Sequence, residues 1–148
     1  EDGDPRDFSE EYHEQWLAIR RHYPAPGAPA AASIFTCSLL SFQGGITVPG
    51  YAASKSGVAR LVNAFANEWA AAGVNVNGIA PGWFVTDMTA PVRSPELEEM
   101  NKELMLRTPA GRWGEPDELI GTAIFLASPA SDFVTGTMIP VDGGYSIR

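Results

Sequence analysis

Apolar positions recur along this chain with two different periods, and the change from one to the other lays out its elements. Ser33 to Cys37 is a short, near-continuous apolar run of the kind found in buried strands. From about Tyr51 to Ala72 the period changes: Val58, Leu61, Val62, Phe65 and Trp69 fall on one face of a helix, and Gly73 closes it. Val74, Val76 and Gly78 then alternate as a strand over about 74–80, broken by Pro81-Gly82. A Pro-punctuated loop leads to a helix beginning at Ser94-Pro95, with Leu97, Met100 and Leu104 inward and Glu96, Glu98, Glu99 and Glu103 toward water. Pro116 opens a further helix that places Leu119, Ile120, Ala123, Ile124 and Ala127 inside, ended by Ser128-Pro129. The last strand covers about 136–141, and Asp142-Gly143-Gly144 form the turn after it.

Before Ser33 the pattern is different. Ser9 reads as an N-cap, and the helix after it carries Tyr12, Trp16 and Ile19 as its apolar stripe, with acids early and Arg late. Pro24 to Ala32 is rich in Pro and Ala and reads as a linker. The chain therefore divides into an N-terminal helix with linker (1–32) and a strand-helix-strand-helix-strand unit (33–148). That alternation predicts an α/β fold, with about three parallel strands joined by right-handed crossovers and flanked by helices.

Composition narrows the partners. With 148 residues, 45% of them hydrophobic, the chain can bury a core of its own. Its net charge of −8 argues against nucleic acid or an anionic membrane as a partner. Cys37 is the single cysteine, which excludes an internal disulfide and fits a reducing, cytoplasmic setting. It adjoins Ser38 and reads as a buried structural thiol. No apolar run approaches a membrane span, and no signal segment opens the chain. Because the chain starts at Glu1 with no Met, it reads as a fragment. His13 and His22 flank the first helix's stripe without companions, so no metal site is expected.

Chemistry concentrates between Ser38 and Lys55. Tyr51 and Lys55 stand four apart at the start of a helix, hence on one face. A free phenol has a pKa of about 10, and a neighbouring cation favours its ionised form. Ser38 ends the first strand and can donate a hydrogen bond to a substrate oxygen. A hydroxyl, a phenol and an ammonium can thus share one carbonyl oxygen.

Three features extend that set: Ser38 lies thirteen residues before Tyr51, the strand at 74–80 runs into Pro81-Gly82, and the chain closes on I-P-V-D-G-G-Y. Together they resemble the short-chain dehydrogenase/reductase family, and the likeness runs from about Ile34 to Tyr145. The phrases S-F-Q-G-G, A-G-R-W-G-E-P-D-E-L and F-L-A-S-P-A-S-D-F are closest to members acting on gluconate and deoxygluconate. The resemblance implies the catalytic half of a Rossmann-like fold, acting on a small carbonyl or hydroxyl substrate. Tyr51 would be the acid/base, Lys55 its cationic neighbour, and Ser38 the group fixing the carbonyl. It places Pro81, Gly82 and Thr86 along the nicotinamide of NAD or NADP, although a Pro-Gly turn needs no ligand. The helix after Ser94 becomes a substrate lid, with Gln43, Trp83, Phe84 and Met88 as pocket residues; core packing accounts for the last three equally well.

Parts of the family pattern are missing. No G-x-x-x-G-x-G, G-x-G-x-x-G or N-A-G segment precedes Ser38, so this chain alone is expected to bind no nicotinamide cofactor. The helix before the first strand matches the family's beginning and end but lacks the middle, which carries an Asn that helps hold a proton-relay water. The strand at 33–37 is left as an apolar edge, so a homo-oligomer or a partner chain is expected. The alternatives to a dehydrogenase are a cofactor-independent isomerase, lyase or cyclase on the same scaffold, and a non-catalytic assembly or regulatory remnant.

Overall fold

The computed structural model describes residues 31–148. The expected N-terminal helix, nearly all of the linker, His13 and His22 lie outside the described residues. Three strands, β1 (Ala31–Thr36), β2 (Val74–Pro81) and β3 (Met138–Val141), form one parallel sheet in the order β1-β2-β3. The α/β arrangement agrees with the sequence reading, and among the described residues β1 lies at one side of the sheet.

β1 begins two residues earlier than the apolar run suggests. Ala31 and Ala32 pair with Val74 and Asn75, so they belong to the sheet and not to the linker. Alanine has little β-propensity; the ladder, extended by Ala31 N–H donating to Gly73 O at 3.3 Å, overrides it.

Helix α1 (Pro49–Trp69) covers one face of this sheet. It starts before Tyr51, since Pro49 needs no amide partner in the first turn. A 3-10 turn over Ala70–Ala72 prolongs it, and Gly73 stops it with φ 80°, a left-handed cap. Its buried stripe is Ala59, Val62, Phe65, Ala66 and Trp69, while Val58 and Leu61 lie half-buried at its margin. Phe65 and Trp69 stack at 4.4 Å between centroids and pack with Cys37, Val74, Val76 and Ala80 into the core. The i, i+4 spacing of these rings makes that stack possible.

Two residues in β2 fix how the layers meet. A Cβ at Gly78 would lie 2.6 Å from Cys37 Sγ and 3.1 Å from Met138 Cγ, so the glycine admits side chains from both neighbouring strands. Asn77, only 1% exposed, donates to Val134 O at 2.7 Å and accepts from Thr137 N–H at 3.1 Å. This buried amide anchors the segment that leads into β3.

The two later helices depart from expectation. Helix α2 (Glu98–Arg107), preceded by a 3-10 turn over Pro95–Leu97, has no fully buried residue; Leu97 and Met100 are exposed and Leu104 is half-buried. Five of its ten residues are charged, which leaves too narrow an apolar stripe to seat it in a core. Helix α3 (Ile120–Leu126) follows a 3-10 turn over Pro116–Leu119. It buries Leu126, whereas Ile120, Ile124 and Ala127, read as interior, face outward. The run I-G-T-A-I-F-L is apolar all round, so its period could not choose a face. No helix of the described residues is long and apolar enough to cross a membrane.

Candidate active site

The C-terminal end of β1 turns directly into a one-turn 3-10 helix, Leu39–Ser41, capped by Ser38. Ser38 Oγ accepts from Leu40 N–H at 3.2 Å, and Ser38 N–H donates to Ser41 Oγ at 3.2 Å, a reciprocal capping box. The hydroxyl of Ser41 in turn donates to Lys55 O at 2.7 Å, and Ser56 Oγ lies 3.4 Å from Leu40 O. These bonds clamp the Ser38 turn against the opening turns of α1, where Tyr51 and Lys55 reside. Lys55 Nζ donates to Thr36 O at 2.8 Å, just before Ser38, and stands 5.9 Å from the centroid of the Tyr51 ring. The Tyr51 side chain is 40% exposed and is not packed into the interior. A phenol open to solvent and an ammonium 5.9 Å from its ring thus stand on a helix start that is clamped to the Ser38 turn.

Sequence reasoning missed Ser41, the buried residue that joins the two halves of this corner. Its signal was present in the S-x-x-S spacing from Ser38 to Ser41, a capping-box pattern. Cys37, 2% exposed beside Ser38, is a structural thiol: burial raises its pKa, and nearby Lys55 and a hydrogen bond with Ser41 only partly offset that.

The other anticipated residues separate. Pro81 and Gly82 end β2 against β3, with Gly82 N–H donating to Val141 O at 2.9 Å. A Cβ on Gly82 would come 2.7 Å from Asp142, so a bare backbone is required there. Thr86 is half-buried; its amide donates to Thr89 Oγ1 at 3.1 Å and its carbonyl accepts from Arg93 Nη2 at 2.9 Å. Only its hydroxyl, 3.2 Å from Thr89 Oγ1, is left to meet a nicotinamide carboxamide. A hydroxyl of this kind can donate to a carboxamide oxygen. The sequence contributes no glycine-rich turn for its pyrophosphate.

Trp83 and Phe84 line a cavity with Ala110, Arg112, Gly114, Glu118 and the Val141–Gly143 turn, and Ser38, Tyr51 and Lys55 are not in its wall. Trp83 meets Trp113 and Tyr145 edge-on at 5.6 and 6.3 Å, while Phe84 is buried. Met88 is 77% exposed and is not in the wall of that cavity. Gln43 is half-buried, its amide donating to Leu39 O at 3.2 Å, so it sits one turn along from Ser38.

Comparison with known proteins identifies relatives of this chain. A family described as enoyl-(acyl carrier protein) reductase matches residues 16–146. The 2-dehydro-3-deoxy-D-gluconate 5-dehydrogenase of Bacillus subtilis (strain 168) is 57% identical over 111 residues, 75% of this chain and 43% of that protein. The Escherichia coli (strain K12) enzyme of the same name is 49% identical over 131 residues, 88% of this chain and 51% of that protein. A crystal structure of a gluconate 5-dehydrogenase from Burkholderia cenocepacia J2315, in complex with NADP and tartrate, superposes with a TM-score of 0.74 at 43% identity, covering 80% of this chain and 46% of that one. The chain spans about half the length of the curated relatives it matches. The parallel sheet, the serine turn clamped to a Tyr-Lys helix and these likenesses converge: the chain belongs to the short-chain dehydrogenase/reductase family.

Proposed function

We propose that this chain is the catalytic part of an NAD(P)-dependent oxidoreductase that interconverts a secondary alcohol and a ketone on a gluconate-type sugar acid. The observation that carries the reading is the Ser38–Tyr51–Lys55 corner, held by the Ser41–Lys55 and Lys55–Thr36 hydrogen bonds. In the oxidising direction Tyr51 takes the proton of the substrate hydroxyl as the C–H bond breaks. Lys55 holds a positive charge beside the phenol throughout, and Ser38 donates to the same substrate oxygen. In the reducing direction Tyr51 returns the proton to that oxygen. A bound nicotinamide would supply the hydride acceptor or donor, and the Thr86 hydroxyl and the Pro81-Gly82 backbone would hold it. The sites for its phosphates come from outside the residues described.

The test is complementation. The chain is assayed alone and with the portion of the Bacillus subtilis relative that it does not span, using 2-dehydro-3-deoxy-D-gluconate or D-gluconate with NAD(H) and NADP(H). The expected outcome is turnover that appears on mixing and falls about 10²- to 10⁴-fold with Tyr51→Phe. Tyr51-dependent conversion of a ketone without any nicotinamide would favour the cofactor-independent alternative. No Tyr51-dependent reaction under either condition would leave the chain an assembly or regulatory element.

A further inference from the structure

We infer that Arg107, together with Gln43, grips the carboxylate of the substrate; this rests on the sugar-acid reading above and adds the group that would recognise the acid. Arg107 ends α2, and its guanidinium lies 4.2 Å over the centroid of the Tyr145 ring. Its Nη2 stands 3.5 Å from Gln43 Oε1, a long contact that leaves room for a stronger acceptor. A guanidinium placed over an aromatic ring can still direct N–H groups outward, and its planar fork matches a carboxylate.

Three separate segments converge on this cation: the end of α2, the turn after β3 that carries Tyr145, and the loop between the Ser38 turn and α1. The turn is itself fixed, since Asp142 accepts from Gly144 N–H at 2.9 Å and from Ser146 N–H at 2.8 Å. No carboxylate among the described residues pairs with Arg107; the recorded ion pairs use Lys102 and Arg112. Arg148 adds a second guanidinium at the same helix end, donating to Leu106 O at 2.7 Å. In a chain of net charge −8, this is a local positive rim at the end of α2.

A purely structural Arg107 would complement the dipole of α2 and cover Tyr145, with no preference for a charged ligand. D-gluconate and D-gluconamide, alike except for the charge at C1, separate the two roles. Each is titrated into the full chain and its binding followed by NMR. Gluconate is expected to bind at least about tenfold tighter, and Arg107→Met is expected to erase that ratio. Arg107→Lys should keep part of it, and Gln43→Ala should reduce it, with unchanged circular dichroism for each. Equal binding of the two probes, binding of neither, or a ratio that survives in folded Arg107→Met overturns the inference. Tyr51→Phe should preserve the ratio. Tyr51-dependent turnover that treats both probes alike would remove the carboxylate grip and leave the proposed reaction standing. Charge-selective binding without turnover would do the reverse.

Discussion

At the scale of single residues, the site depends on atoms that a sequence does not display. Lys55 reaches a backbone carbonyl, Thr36 O, and Ser41 reaches another, Lys55 O; carbonyls carry no letter of their own. Tyr51 and Lys55 were legible because a four-residue spacing on a helix has a fixed geometric meaning. Met88, two of whose neighbours in the expected pocket line a cavity, is itself 77% exposed, because adjacency in sequence says nothing about which way a loop side chain turns. Gly78 offers the sharpest residue-level expectation. Gly78→Ala pushes a methyl into Cys37 Sγ and is expected to destabilise the chain by about 1–3 kcal/mol in urea denaturation. In the Cys37→Gly background the same change should cost clearly less, because the clash is removed. Equal penalties in both backgrounds would show that the sulfur is not what confines this position.

At the scale of elements, strands and α1 were readable to within a few residues, whereas the faces of α2 and α3 were not. A period identifies a helix, but burial depends on what stands opposite. The half-charged α2 has little to press against the sheet, and the uniformly apolar α3 can turn any side inward. The turn after β3 was legible as Asp-Gly-Gly, and the structure adds its reason. Burial of Asp142 raises its pKa, but hydrogen bonds from Ser146 and Gly144 outweigh this and hold the carboxyl below its ordinary value. A depressed carboxylate pKa contributes stability that is present above about pH 4 and is lost as pH falls through the lowered value. Asp142→Ala is therefore expected to cost about 1–2 kcal/mol at pH 7, and the gap from the parent chain should close in acid. Chemical denaturation at pH 7 and near pH 3 measures both; a gap that does not shrink in acid contradicts the role given to the carboxylate.

At the scale of the whole molecule, the sheet ends at β1 on one side and β3 on the other, among the described residues. Ile120, Ile124 and Phe125 of α3 stand outward, and Phe133, in the loop that follows, is fully exposed. An apolar helix face and an unpaired strand edge on one acidic chain favour association. Light scattering at micromolar concentration is expected to give a mass above that of the 15.8 kDa chain. Ile124→Glu should lower that mass, provided the thermal transition is unchanged. A monomeric parent chain would refute the expectation.

The Ser41–Lys55 bond spans only fourteen positions of chain, and Lys55 to Thr36 spans nineteen. Closing so small a loop costs roughly 1 kcal/mol less chain entropy than bringing β3 to β2 from some sixty residues away. The corner at Ser38 and Lys55 is thus a neighbourhood affair, built from one strand end, one turn and one helix start. It can come together early in folding, before the last strand has found its place.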